Sequence, residues 1–211
     1  MMMNPNPGKL TLRQALLRVL ASVALGGAIA FAIASHGSAS AARVETVPPG
    51  TAASQLEVLK TGPVERNPPS GVAAGFDGAS ADIGAIRLLG SNAGGTGLSL
   101  YGTARANGGA CNSLINAKDA VGTVCVASIP AEGITLSASD VDGWVIYGFA
   151  ADDVTGVDVV VGGKAVPAQV LQNAYAADLG EGTLSDATEL LVHHADGSTD
   201  AVKNTLRAPG S

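Results

Sequence analysis

From about Ile86 onward, apolar residues alternate with small or polar ones in short runs cut by Gly, Asn and Asp. A period of two with turn chemistry between the runs predicts β-strands joined as hairpins. The run LSLYGTARA at 98–106 leads through Asn107-Gly108-Gly109 into ACNSLI at 110–115. If the loop NAKDA at 116–120 then connects ACNSLI to VGTVCV, Ile115 faces Val121, Ser113 faces Thr123 and Cys111 falls opposite Cys125. Directly opposed positions on neighbouring strands bring Cβ atoms to the separation a disulfide requires.

A second hairpin, VTGVDVVVGGKAVPAQV at 154–170, turns at Gly162-Gly163, which tolerates the positive φ of a type I′ turn. Counting outward pairs Val161 with Lys164, Val160 with Ala165, Val159 with Val166, Asp158 with Pro167 and Val157 with Ala168. The Val157, Val159 and Val161 face is the one to bury. Pro167 lacks an N–H and places its strand at a sheet edge. A third hairpin, TELLVHHADGSTDAVK at 188–203, carries a two-residue turn signal at Asp196-Gly197. Eight to ten strands result, in an all-β domain over residues 83–207. Their spacing fits a small sandwich of immunoglobulin-like shape or a small barrel, and both stay open.

Upstream the pattern changes. Residues 42–82 hold Pro48, Pro49, Pro63, Pro68 and Pro69 among Gly, Ala and Ser, and read as a flexible linker. Within it SQLEVLK at 54–60 is a short helical turn or strand, bounded by the prolines. Residues 19–34 form an uncharged apolar run behind Lys9, Arg13 and Arg18, so residues 1–41 predict an export signal cleaved after Ala41 or an uncleaved membrane anchor. The run is shorter than the roughly 20 residues a spanning helix uses, and Ala39-Ser40-Ala41 offers a cleavage site. Either way residues 43–211 are expected outside the cytoplasm, secreted or in the cell envelope.

Composition narrows the partners. The chain has 12 Lys and Arg against 18 Asp and Glu, and the first 41 residues remove three of the basic groups and no acidic one. Such an acidic remainder disfavours nucleic acid. The two cysteines, in an oxidising compartment, predict one disulfide, Cys111 to Cys125. A closed loop of about 15 residues stabilises a fold by roughly 3 kcal/mol through chain entropy.

The segment Tyr147-Gly148-Phe149-Ala150-Ala151-Asp152-Asp153-Val154, then the valine-rich hairpin and Asn173-Ala174-Tyr175, resembles the uncharacterised exported β-rich proteins common in actinobacteria. These combine an upstream cysteine pair with a YG-x-x-x-D-x-V strand and hairpin motif. The similarity spans about residues 86–206, with Ala151 where the family more usually has proline. It implies fold and location and carries no activity.

Candidate chemistry is sparse. His193 and His194 are adjacent, so strand alternation sends them to opposite faces unless a bulge intervenes, whereas zinc needs three or four converging ligands. Asp140, Asp142, Asp152 and Asp153 are candidate oxygen ligands for a metal such as calcium, without EF-hand spacing. The serines have no nucleophile-elbow context, and Gly94-Gly95-Thr96-Gly97 lacks the lysine and helix of a phosphate loop. Trp144 falls on the strand face opposite Tyr147 and Phe149, and packing against a second layer is its expected role. No catalytic residue and no cofactor are assigned.

The expected function is a binding or structural module of the envelope, exported or anchored, whose partner is an envelope protein or cell-wall component. It touches the membrane only if the N-terminal segment stays attached. Two alternatives are an envelope hydrolase built on Asp152, Asp153 and His194, and an extracellular sensory partner of a membrane complex.

Overall fold

The computed structural model describes residues 50–77, 84–116 and 119–207, all within the compact unit Glu45–Ser211. The signal or anchor, Ala41 and the ends of the expected linker lie outside the described residues. A 3-10 turn at Ala52–Gln55 precedes helices α1 (Glu57–Thr61) and α2 (Ser70–Asp77). The strands follow as β1 (Arg87–Ser91), β2 (Ser99–Ala104), β3 (Ala110–Ile115), β4 (Ala120–Val126), β5 (Ser137–Asp140) and β6 (Trp144–Phe149). The chain continues through β7 (Val154–Val161), β8 (Lys164–Pro167), β9 (Gln169–Leu171), β10 (Ala174–Asp178), β11 (Ala187–His194) and β12 (Thr199–Lys203).

The fold is all-β, as the sequence predicts, and its strands form three four-stranded antiparallel sheets, ordered β1-β2-β3-β4, β5-β6-β10-β9 and β12-β11-β7-β8. The Gly162-Gly163 hairpin has the expected register from Val161↔Lys164 through Asp158↔Pro167, and β8 is an edge strand. Val157 and Val159 are buried, and both turn glycines have positive φ. Cys111 pairs with Cys125 and Ser113 with Thr123. A bulge after Leu114 then sets Ile115 against Ala120, one residue from the expected Val121. The β11–β12 turn is also wider than a two-residue loop. His194 N–H donates to the Ser198 carbonyl at 3.0 Å and Gly197 N–H to the His194 carbonyl at 3.0 Å, with Gly197 at φ 86°. Ala195, Asp196 and Gly197 thus form a three-residue loop closed by a glycine in positive φ.

The flexible-linker expectation for 42–82 does not hold over residues 50–77. Ala52, Ala53, Leu56, Val58 and Leu59 are buried in the main core, and Val72 and Phe76 in a second cluster with Ile86, Tyr101, Cys111 and Ile115. The apolar positions look scattered because the segment folds as single turns, each contributing one or two side chains to a core made by the strands. SQLEVLK takes the helical alternative. Both faces of the first sheet are therefore covered, with Leu100, Ala110 and Leu114 on the main core and Tyr101, Cys111 and Ile115 under α2. That explains why every residue of β3 is buried and the strand shows no polar side.

The second sheet sits at the centre of the main core. Tyr147, Phe149 and Tyr175 are almost fully buried, and Trp144 packs against the same cluster, as expected of it. The Tyr175 hydroxyl donates to the Thr135 carbonyl at 2.8 Å, giving the buried phenol its partner. Gly148 has no room for a side chain, because the Thr135 carbonyl lies where its Cβ would be.

Candidate functional site

The residues singled out from the sequence gather at the two ends of β6. At its C-terminal end the chain turns through Ala150-Ala151-Asp152-Asp153 into β7, and the two adjacent aspartates hold different parts of the molecule. The Asp152 Oδ1 accepts the Glu57 backbone N–H at 2.7 Å and the Asn173 side-chain N–H at 2.8 Å. Asn173 Oδ1 in turn accepts the Val58 N–H at 2.8 Å, and its Nδ2 donates to the Ala150 carbonyl at 3.1 Å. Helix α1 begins after Leu56, whose side chain cannot cap it, so Asp152 and Asn173 satisfy its first N–H groups from across the fold. The carboxylate also suits the positive end of the helix, and Lys60, 2.8 Å from Glu57 Oε2 and 3.9 Å from Asp152 Oδ2, extends the network.

Asp153 faces the opposite way. Its Oδ2 lies 3.0 Å from His194 Nδ1, while His194 Nε2 lies 3.2 Å from Asp200 Oδ2 on β12. The ring is 8% exposed, against 64% and 51% for the two carboxylates. Desolvation of the ring pulls its pKa down, but the hydrogen bonds and charges of Asp153 and Asp200 together outweigh it and hold the pKa above 6.5. Asp196, in the same turn, is held below the usual carboxylate range by hydrogen bonds from the Ser198 hydroxyl and amide.

His193 occupies the other face, with Nε2 at 3.0 Å from Asp158 Oδ2 and Nδ1 at 3.1 Å from Thr199 Oγ1. A bulge does interrupt the β7–β11 ladder here, between His193↔Gly156 and His194↔Val154. The additional residue, Thr155, is on β7, so alternation along β11 survives and the two rings keep separate partners. Of the suspected hydrolase trio, Asp153 and His194 meet while Asp152 turns to α1. The two nitrogens of His194 point to carboxylates on opposite sides of the ring, an arrangement that orients the imidazole rather than converging ligands on one point. Among the described residues no group of three or more His, Cys, Asp and Glu side chains is placed to hold a metal ion.

At the N-terminal end of β6, roughly 20 Å away along the strand, the β5–β6 turn carries Asp140 and Asp142. Asp140 is exposed at the end of β5, and Asp142 adopts φ 56°, followed by Gly143. Asp142 lines a cleft of about 400 Å³ with Thr96, Gly97, Leu98, Asn116, Val141 and Asp178. The four aspartates therefore form two separate pairs, and neither pair completes the other. Asp178 escaped the sequence reading because β10 reaches β6 only through sheet pairing, Asp178↔Val145, across more than thirty residues of chain. Asp158 escaped for the same reason: the β7–β11 register sets it opposite Leu191, diagonal to His193.

The disulfide is formed, with Sγ atoms 2.05 Å apart and Cα atoms 4.0 Å apart, and Cys111 is fully buried beneath α2. No protein-family model, no curated protein and no solved structure matches the chain.

Proposed function

We propose that this chain is an extracytoplasmic module of the cell envelope that acts by binding or as a structural component, either exported or held by its N-terminal apolar segment. The Cys111–Cys125 disulfide is the observation that carries the reading, since such a bond persists in an oxidising compartment and is rare in a reducing one. The apolar run at 19–34 agrees with it. For recognition, the cleft between Thr96, Asn116, Asp142 and Asp178 supplies hydrogen-bonding groups in a volume within the range of ligand sites, roughly 300–1,000 Å³. Its polar lining suits a hydroxyl-rich or basic group of a cell-wall component or envelope protein.

The reading is tested by fractionating cells that express the full chain and mapping the protein by mass spectrometry without reductant. The expected form is extracytoplasmic, with Cys111 joined to Cys125. A soluble interior protein with both thiols free would overturn the proposal. Binding is read by co-sedimentation with insoluble cell-wall material, which Asp142→Ala with Asp178→Ala should weaken at least threefold. Equal sedimentation of both proteins would remove the cleft from the proposal.

A further inference from the structure

We infer that His194, clamped between Asp153 and Asp200, is a pH-sensitive latch that fastens the edge strand β12 and the β11–β12 turn to the β6–β7 corner. The ring ties three pieces of chain together, the corner through Asp153, β11 through the histidine itself and β12 through Asp200, in addition to the β11–β12 and β7–β11 ladders. One backbone bond runs alongside, from Ala195 N–H to the Asp153 carbonyl at 2.8 Å.

The chemistry follows from the number of protons on the ring. An imidazolium donates two N–H groups, so both carboxylates are satisfied at 3.0 and 3.2 Å. Neutral imidazole donates one and turns a lone pair toward the remaining carboxylate oxygen. That contact becomes repulsive, and because both carboxylates are more than half exposed, either can rotate into water. Among the described residues neither Asp153 nor Asp200 forms an ion pair with a lysine or arginine. Gly133 lies beside the ring, where a Cβ would come within 3.4 Å of its Cε1, its charged neighbour Glu132 is exposed, and Asp196 in the turn adds a further negative charge. His193, on the opposite face, answers to Asp158 and Thr199.

The sign is fixed by the direction of the shift. A histidine whose pKa is raised on folding contributes its stabilisation in full below the unfolded value of about 6.5, and loses it as pH rises through the folded value. The latch is closed in acid and released on the alkaline side.

The experiment is an imidazole NMR titration of the full-length, disulfide-intact protein, paired with hydrogen exchange at about pH 5 and about pH 8 expressed as protection factors. His194 is expected to titrate above 6.5. The midpoint should fall in Asp153→Asn and in Asp200→Asn, fall furthest in the double variant, and stay in place in His193→Gln. Amides of 195–203 should lose at least threefold protection between acid and alkaline pH in the natural chain, and lose that pH dependence in Asp200→Asn. A His194 midpoint at or below 6.5 overturns the latch, and so does pH-independent protection of 195–203. Both readouts on the natural chain stand even if a variant folds poorly.

Discussion

Asn112 is the residue whose environment is least consistent with its chemistry. It lies on β3, 1% exposed, and neither its Nδ2 nor its Oδ1 has a hydrogen-bond partner among the described residues. Its strand neighbours on the same face, Ala110 and Leu114, belong to the main core. A buried amide without partners costs roughly 1–3 kcal/mol in desolvation, and leucine has a similar branched shape with no polar atom. Asn112→Leu is therefore expected to raise stability by about 1 kcal/mol or more. Urea unfolding with the disulfide intact measures it, since a stability change moves the midpoint at constant slope. A lower midpoint would show that the amide is satisfied in solution. The sequence carries no warning of this position, because Asn is common beside turns and only the pairing of β3 with both neighbours shows it to be central.

Among the elements, the β3–β4 hairpin joins local grammar to a covalent constraint. Its strands pair through Ala110↔Val126, Cys111↔Cys125 and Asn112↔Val124, and α2 closes over the bond. Replacing both cysteines, Cys111→Ala with Cys125→Ala, is expected to lower stability by roughly 3 kcal/mol, as the chain-entropy picture gives for a loop of this length. Denaturant midpoints of the pair variant against the oxidised protein decide it, and a loss below about 1 kcal/mol would mean that packing under α2 already holds the hairpin. This hairpin also marks where the fold was legible. Its turn residues and cross-strand order follow from neighbours within twenty residues, and the same holds for Gly162-Gly163. What eluded the sequence is the division into three sheets, which depends on pairing far along the chain, the bulge that moved Ile115 to Ala120, a local irregularity with no residue signal, and helices 52–77, whose apolar residues have no period of their own. The site divides in the same way. The His193–His194 alternation was readable, whereas Asp178 in the cleft and Asp158 beside His193 arrive through long-range pairing.

At the scale of the whole molecule, residues 52–58, expected as linker, prove to be part of the body they precede. Ala52 N–H donates to the Ala127 carbonyl, Ala53 N–H to the Gly108 carbonyl, and Glu57 and Val58 to Asp152 and Asn173, so residues 52–58 are stitched to four separate loops. Leu56, Val58 and Leu59 are buried by the contact, and each such side chain contributes about 1.5–3 kcal/mol relative to exposure. The position of any cleavage then matters physically. A cut after Ala41 leaves the whole strap in place, whereas a chain starting at residue 62 lacks it and leaves its core seat open to water. The first is expected to melt like the full-length protein. The second should lose several kcal/mol and bind a hydrophobic dye, because apolar surface seated in a core becomes exposed. Calorimetry and dye fluorescence on the two chains separate the outcomes. Equal melting temperatures would mean that the strap lies on the body without stabilising it, and that the corner at Asp152 holds residues 52–58 as a detachable arm.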